Sequence, residues 1–227
     1  MKRSTLVSLI FITPGVIALH AETFTYSGIN AAIPDGNASG LSNTRTVSTT
    51  ITEIGSLTLS LNLSGSFNGD IYAYIKHNNV AGTLLNRAGR TGTNPFGYDD
   101  DGFQVVFSDL AVNGDIHLHR SMITPSPGSP LTGMWQPDAR TADPDMVTDA
   151  SPRSSFLSAF NGLNPNGSWT LFLADLSGGD LHTLDSWSLD ITPIPEAGTW
   201  IVPVLLLAGL GVSRQRRRFQ AGTPSSG

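Results

Sequence analysis

Cysteine is absent from this 227-residue chain, which excludes disulfides, thiol catalysis and cysteine-based metal sites. Glutamate is scarce between residues 22 and 192 and the aspartates there cluster in turns, so a carboxylate pair spaced for glycoside hydrolysis is hard to place. No Gly-x-Ser-x-Gly elbow and no glycine-rich serine turn opens a helix, so nothing exposes a serine nucleophile in the usual way. Phosphate-cradling glycine patterns are missing as well. The same stretch holds no convincing amphipathic helix. Charged residues make up only 14% of the chain, and Lys and Arg (13) are outnumbered by Asp and Glu (18). The formal charge of −5 understates the acidity of the middle, because six of the basic residues lie in the two end segments. A basic nucleic-acid surface is thereby excluded.

What is present is a set of short sheet-forming runs separated by turn residues. Leu57-Thr58-Leu59-Ser60-Leu61-Asn62-Leu63-Ser64 alternates strictly, which in a strand puts every leucine on one face. Gly65-Ser66-Phe67-Asn68-Gly69 turns the chain, and Asp70 to Lys76 predicts a second strand, broken by His77-Asn78-Asn79 and Gly82. Phe103–Phe107, Ser168–Ala174 and Ser186–Ile191 predict three more, with further strands around Phe24–Tyr26 and between Thr46 and Ile54. Met122 to Arg153, full of Pro, Asp, Ser and Thr, predicts a long irregular surface loop. A short helical turn is expected near Ser155–Phe160. The fold class is all-β, an antiparallel jelly-roll sandwich over residues 22–192, about 170 residues and enough for one domain with a real core.

Both ends carry apolar segments. Lys2 and Arg3 precede an apolar stretch from Leu6 to Leu19, the layout of a secretory signal peptide over residues 1–21 with Ala21 last before the cut. At the other end, a turn-forming segment from Thr192 leads through Pro195-Glu196-Ala197 into an apolar run, then Arg214, Arg216, Arg217 and Arg218. Extended from Ala197 to Ser213, the run approaches the length of about 20 residues that spans a bilayer. The expected transmembrane helix is about residues 199–213. Arginines just past such a helix hold that end inside, so the middle lies outside. The order motif, helix, arginines over 193–218 resembles the PEP-CTERM sorting signal, with Ala197 where the motif has its second proline. The resemblance implies an exosortase-type sorting enzyme as partner. It also implies export through the inner membrane of a Gram-negative-type bacterium, at least transient membrane anchoring, and a final place at the surface or outside the cell. Residues 219–227 are expected to be a disordered tail.

The last strands carry a second resemblance. Gly167-Ser168-Trp169-Thr170-Leu171, then Asp175, then Leu184-Asp185-Ser186-Trp187-Ser188-Leu189 resembles the closing hairpin of the P domain (P/Homo B) that follows the catalytic domain of subtilisin-like proprotein convertases. Trp169, Leu171, Asp175, Leu184, Trp187 and Leu189 match in order, and Gly69-Asp70-Ile71 resembles an early strand start of that family. The region Thr91 to Arg153 departs most. In that family the domain stabilises or regulates a neighbouring protease; the few dozen residues before it here are too few for a subtilisin fold, so such a role is expected to act in trans.

Candidate chemistry is sparse. Tyr98-Asp99-Asp100-Asp101-Gly102 is either a structural Ca²⁺ site or a solvated acidic turn, since hard cations take several oxygen ligands. The P-domain resemblance invites Asp70 and Asp175 as partners in such a site. In an extended strand Asp115, His117 and His119 would share one face, a trio that can bind Zn²⁺ or simply be wetted. His77 and His182 are expected at the surface. Trp169 and Trp187 are expected in the core rather than as a sugar-stacking platform. Trp135 is the better candidate for an exposed contact, or else an aromatic that pins the long loop. The reading is of an exported, non-catalytic envelope or matrix protein that binds protein or polysaccharide. The alternative is a P-domain-type accessory to a subtilisin-like endopeptidase.

Overall fold

The alternating leucines form the centre of the molecule. A computed structural model describes residues 20–195. The predicted signal peptide, the helix of 199–213, Glu196, Ala197, the four arginines and the tail lie outside the described residues. Among the described residues no helix is long and apolar enough to cross a membrane.

Among the described residues ten strands form two sheets: β1 (Glu22–Tyr26), β2 (Ala31–Ile33), β3 (Leu41–Val47), β4 (Ile54–Ser64), β5 (Ile71–His77), β6 (Val80–Asn86), β7 (Phe103–Phe107), β8 (Leu131–Trp135), β9 (Gly167–Asp175) and β10 (His182–Pro193). Sheet A runs β1-β10-β4-β7-β8, with β2 also paired to β10, and sheet B runs β3-β9-β5-β6. Short 3₁₀ turns at Asn68–Asp70, Ile116–Ser121 and Leu157–Phe160 are the only helical elements among the described residues. The last fulfils the expected turn near Ser155–Phe160.

Leu57, Leu59, Leu61 and Leu63 of β4 are all buried, each stabilising the fold by roughly 1.5–3 kcal/mol through burial. They meet Trp187, Leu189 and Ile191 of β10, Phe103, Val105 and Phe107 of β7, and from sheet B Ile71, Ile75, Trp169, Leu171 and Leu173, in one core. Trp169 and Trp187 are in that core, as expected. Their indole nitrogens donate to Pro165 O at 2.8 Å and Asn43 Oδ1 at 3.0 Å. Trp135 is also buried, its Nε1 donating to Thr132 O of the same strand at 2.9 Å, so it is not an exposed contact.

The topology differs from the expectation in four places. β9 and β10 are not a hairpin: β9 pairs with β3 and β5, β10 with β1, β2 and β4, so the chain arches from one sheet to the other between them. The chain makes the same crossing between β4 and β5. β6 runs through Gly82, because that glycine packs under Phe160 and Leu157, where a larger residue would have to displace them. β8 forms inside the stretch expected to be irregular and pairs parallel to β7, the one parallel pairing between strands described. Thr46–Ile54 is a strand only at its two ends, where β3 finishes and β4 begins.

Candidate functional site

The acidic residues sit at one end of the sandwich, where the connections leave the strands. Asp70 closes the 3₁₀ turn before β5. It faces Arg87, whose Nη2 lies 3.4 Å from Asp70 Oδ1 and 3.1 Å from Ser177 Oγ, while its Nε donates to Gly69 O at 3.0 Å. Beside it, at the end of β9, Asp175 accepts from His182 Nδ1 at 2.8 Å. Burial raises the Asp70 carboxyl above the usual range, against the pull of Ser177 and Arg87, and lowers Arg87 from its ordinary value. Gly65 permits this packing, because it has φ +144° and a Cβ there would sit 2.5 Å from His182 Cδ2. His182 is fully buried, with its Nε2 lacking a hydrogen-bond partner. The expectation of a surface histidine is corrected. Its surroundings are set by β4 and β9, which a local reading of the β9–β10 loop does not see.

A second cluster lies on the far side of the Asn68 turn. Asp100 accepts from His119 Nε2 at 2.7 Å and from Arg120 Nη2 at 2.7 Å, and Arg120 also pairs with Asp99 at 2.5 Å. The Arg120 hydrogen bonds hold Asp99 below the usual carboxylate range and raise Arg120 further. Arg120 stacks over Tyr98 at 4.7 Å, and Asp101 accepts from Gly128 N at 2.6 Å. Asn68 joins the two clusters. It exchanges two 2.8 Å bonds with Gly102, and Asn68 N and Gly69 N donate to Asp100 O and Tyr98 O.

Asp115, His117 and His119 do not share a face. Their segment is a 3₁₀ turn with Asp115 as its cap, accepting from His117 N at 3.0 Å. His117 turns to Asp138 at 2.8 Å, His119 to Asp100, and Asp115 to Arg140 at 2.8 Å. The other ring nitrogen of each histidine faces a backbone carbonyl, Arg90 O and Ile116 O. Burial works against the charge of Arg140, but Asp115 and Asp138 outweigh it and raise its pKa. The turn sends each side chain to a different partner and buries both histidines, so the three form neither a zinc trio nor a wetted face. Among the described residues no three His, Asp or Glu side chains gather as a metal site requires. The five aspartates expected for calcium are split between two clusters, Asp70 with Asp175 and Asp99 with Asp100 and Asp101. All but Asp101 face an Arg or His.

His77 is a further correction. It is fully buried, parallel to Trp169 at 4.3 Å, with its nitrogens 3.0 Å from Ser168 O and 2.8 Å from Asn164 O. The turn residues after it are exposed, but β5 carries His77 itself inward in step with Ile71, Ala73 and Ile75.

The same parity sends Tyr72, Tyr74 and Lys76 outward. On β9, Ser168, Thr170 and Phe172 also point away from the core. Register places Ser42, Phe172, Tyr74 and Thr83 in one row across sheet B and Thr44, Thr170, Lys76 and Ala81 in the next. Tyr74 and Phe172 stack at 4.9 Å and 20°, and Tyr72 stands 5.9 Å from Tyr74 and 6.4 Å from Phe172. The three rings are half-buried by one another and by Gly40 beneath Phe172, and face outward. Thr44 and Thr170 hydroxyls bond at 2.8 Å beside them. Burial raises the Tyr72 phenol above its ordinary value. This ridge was missed in the sequence. Its signal is aromatic residues on the strand parity opposite to Ile71, Ile75, Leu171 and Leu173.

No family model matches the sequence, and no curated protein matches it. Among solved structures, the chain is similar to that of the Aeromonas sobria serine protease in complex with its chaperone, at 15% identity and a TM-score of 0.41, over 78% of this chain and 27% of that one. It is likewise similar to the serine protease of Aeromonas sobria at 14% identity and a TM-score of 0.40, over 80% of this chain and 28% of that one. This chain therefore spans little more than a quarter of the length of either.

Proposed function

We propose that this is an exported, non-catalytic β-sandwich of the cell envelope or extracellular matrix that binds a polysaccharide or protein partner through its surface. The observation that carries the reading is the outer face of sheet B, where aromatic rings stand in a sheet of hydroxyl side chains. Ligand sites combine such apolar area with a few placed polar groups. The histidines His77, His117, His119 and His182 are turned inward instead, and three of them are bonded to buried carboxylates. Asp138 with His117 and Arg140, Asp100 with His119, and Asp175 with His182 hold loops to strands. Export and sorting rest on the sequence of the two ends, with an exosortase-type enzyme and the membrane as partners in transit.

Incubating the full chain with the extracellular polysaccharide of the producing cell tests this reading. Retention without release of reducing ends or peptides is expected. Turnover that disappears on substitution of one buried histidine would make the protein an enzyme and end this proposal.

One observation favours the second reading, a P-domain-type accessory acting on a subtilisin-like protease in trans. The motif residues Trp169, Leu171, Leu184, Trp187 and Leu189 are all core residues, and Asp175 is fully buried beside His182, so the sequence pattern is a structural framework here. Co-purification with a protease that lacks such a domain would favour it over the first.

A further inference from the structure

We infer that the Tyr72–Tyr74–Phe172 ridge is a binding site for a neutral polysaccharide; this rests on the binding role proposed above and names its ligand class and residues. Three features point to that chemistry. The first is the rings themselves. A pyranose presents a patch of C–H groups on its face, and the outward edges of these rings offer apolar surface that buries that patch where a fully polar sheet would leave it wet. The second is the border of the ridge. Thr44 and Thr170 each offer a hydroxyl that both donates and accepts, the complement of a sugar hydroxyl, and they already sit 2.8 Å apart on the row next to the rings.

The third is charge. Of the outward-facing residues on the sheet B strands only Lys76 is charged, in a chain that is acidic as a whole. An acidic polymer would meet one cation here and repulsion elsewhere, and a basic one would find carboxylates only beside Tyr72, where Asp138 and Asp143 come near from outside the strands. A neutral chain loses nothing on either count. The rings also lie across two adjacent strands, β5 and β9, in the middle of a four-stranded sheet, so strand pairing on both sides holds them in place. A site on paired strands is already ordered and loses little freedom on binding.

The test is affinity electrophoresis of the full chain through gels containing hydroxyethyl cellulose or dextran, with alginate as the acidic comparator, at low and high salt. The expected result is retardation by a neutral polymer, little changed by salt. It should weaken about tenfold in Tyr74→Thr and in Phe172→Thr, and remain unchanged in Ser60→Ala on the opposite sheet. Tyr74→Phe keeps the ring and should keep binding. Thr44→Arg alters an exposed position without touching the core, so its expected loss of binding does not depend on whether the ring variants fold. Retardation that survives Tyr74→Thr, Phe172→Thr and Thr44→Arg overturns the ridge as the site while leaving a polysaccharide-binding protein. Salt-sensitive retardation by alginate alone overturns the neutral ligand. Retention on the producing cell's matrix with no retardation by either neutral polymer overturns this inference and spares the proposed function, and loss of both overturns the two together.

Discussion

Two regions of this molecule reverse the usual partition of side chains. At the loop end, aspartates, histidines and arginines are buried; on sheet B, aromatic rings are left outside. The buried groups occur as mutually bonded sets, so their burial is tolerated because each charge has a partner in reach. The rings outside have no such need, since they are cross-strand neighbours that shield each other and still present an outer edge. The outer face of sheet A shows what an ordinary solvent face looks like here. It carries Thr25, Ser188, Ser60, Val106 and Met134 in one row and Ser186, Asn62, Gln104 and Thr132 in another, with no aromatic residue. The contrast teaches that the buried charged groups are bonded to one another, while the half-buried rings keep an outer edge in solvent.

Five measurements press on that contrast. Asp138→Ala removes the shared partner of His117 and Arg140 at a fully buried position, and should cost about 3–5 kcal/mol in urea unfolding. A cost under about 1 kcal/mol would mean that these pairs do not hold the loops. Asp70 tests the pH side. Its folded carboxyl is raised by burial, so the native state holds that proton more tightly than the unfolded chain does. Its contribution to stability is present below about pH 4 and is lost as pH rises through the folded value. The stability of the protein relative to Asp70→Asn should therefore fall across that window, and a rise would reverse the sign assigned to its burial.

Phe172→Thr should cost only about 1 kcal/mol of stability, the scale of an aromatic pair, while its effect falls on binding. A loss of several kcal/mol would place the ridge with the core instead. Asp99→Asn should change stability by less than about 1 kcal/mol, because Asp99 is largely exposed. Its lowered carboxyl contributes above the unfolded value, so that small loss should vanish as pH falls through the folded one and shrink in salt. Calcium should produce no saturable rise in melting temperature, since Arg87, His182, His119 and Arg120 already face four of the five aspartates. A rise abolished by Asp100→Ala would restore the acidic turn as a cation site.

Much of the sandwich was legible because period-two patterning is local: β4 and β7 follow directly from the alternation of Leu57–Leu63 and from the Phe103–Phe107 run. Trp169 and Trp187 were expected in the core from their place in the P-domain-like motif, and both are buried. What local pattern does not carry is which sheet a strand joins. β9 and β10 read as a hairpin through their resemblance to the closing segment of the P domain, and only the completed sheets part them. His182 and His77 fell to the same limit, since turn residues beside them suggested water while more distant strands bury them. β8 was hidden by the prolines and aspartates around it, and its pairing depends on β7, more than twenty positions earlier in the chain.

The placement of β10 sets an order of events. It is the last described strand, yet it lies inside sheet A between β1 and β4 and also pairs with β2. Until residues 182–193 have been made, the first two strands have nothing to pair with and one edge of β4 stays open. Long-range pairing of this kind is slow to form. Sheet A therefore closes only after nearly the whole sandwich has been synthesised, and a growing chain carries β4 with an open edge for most of its time on the ribosome.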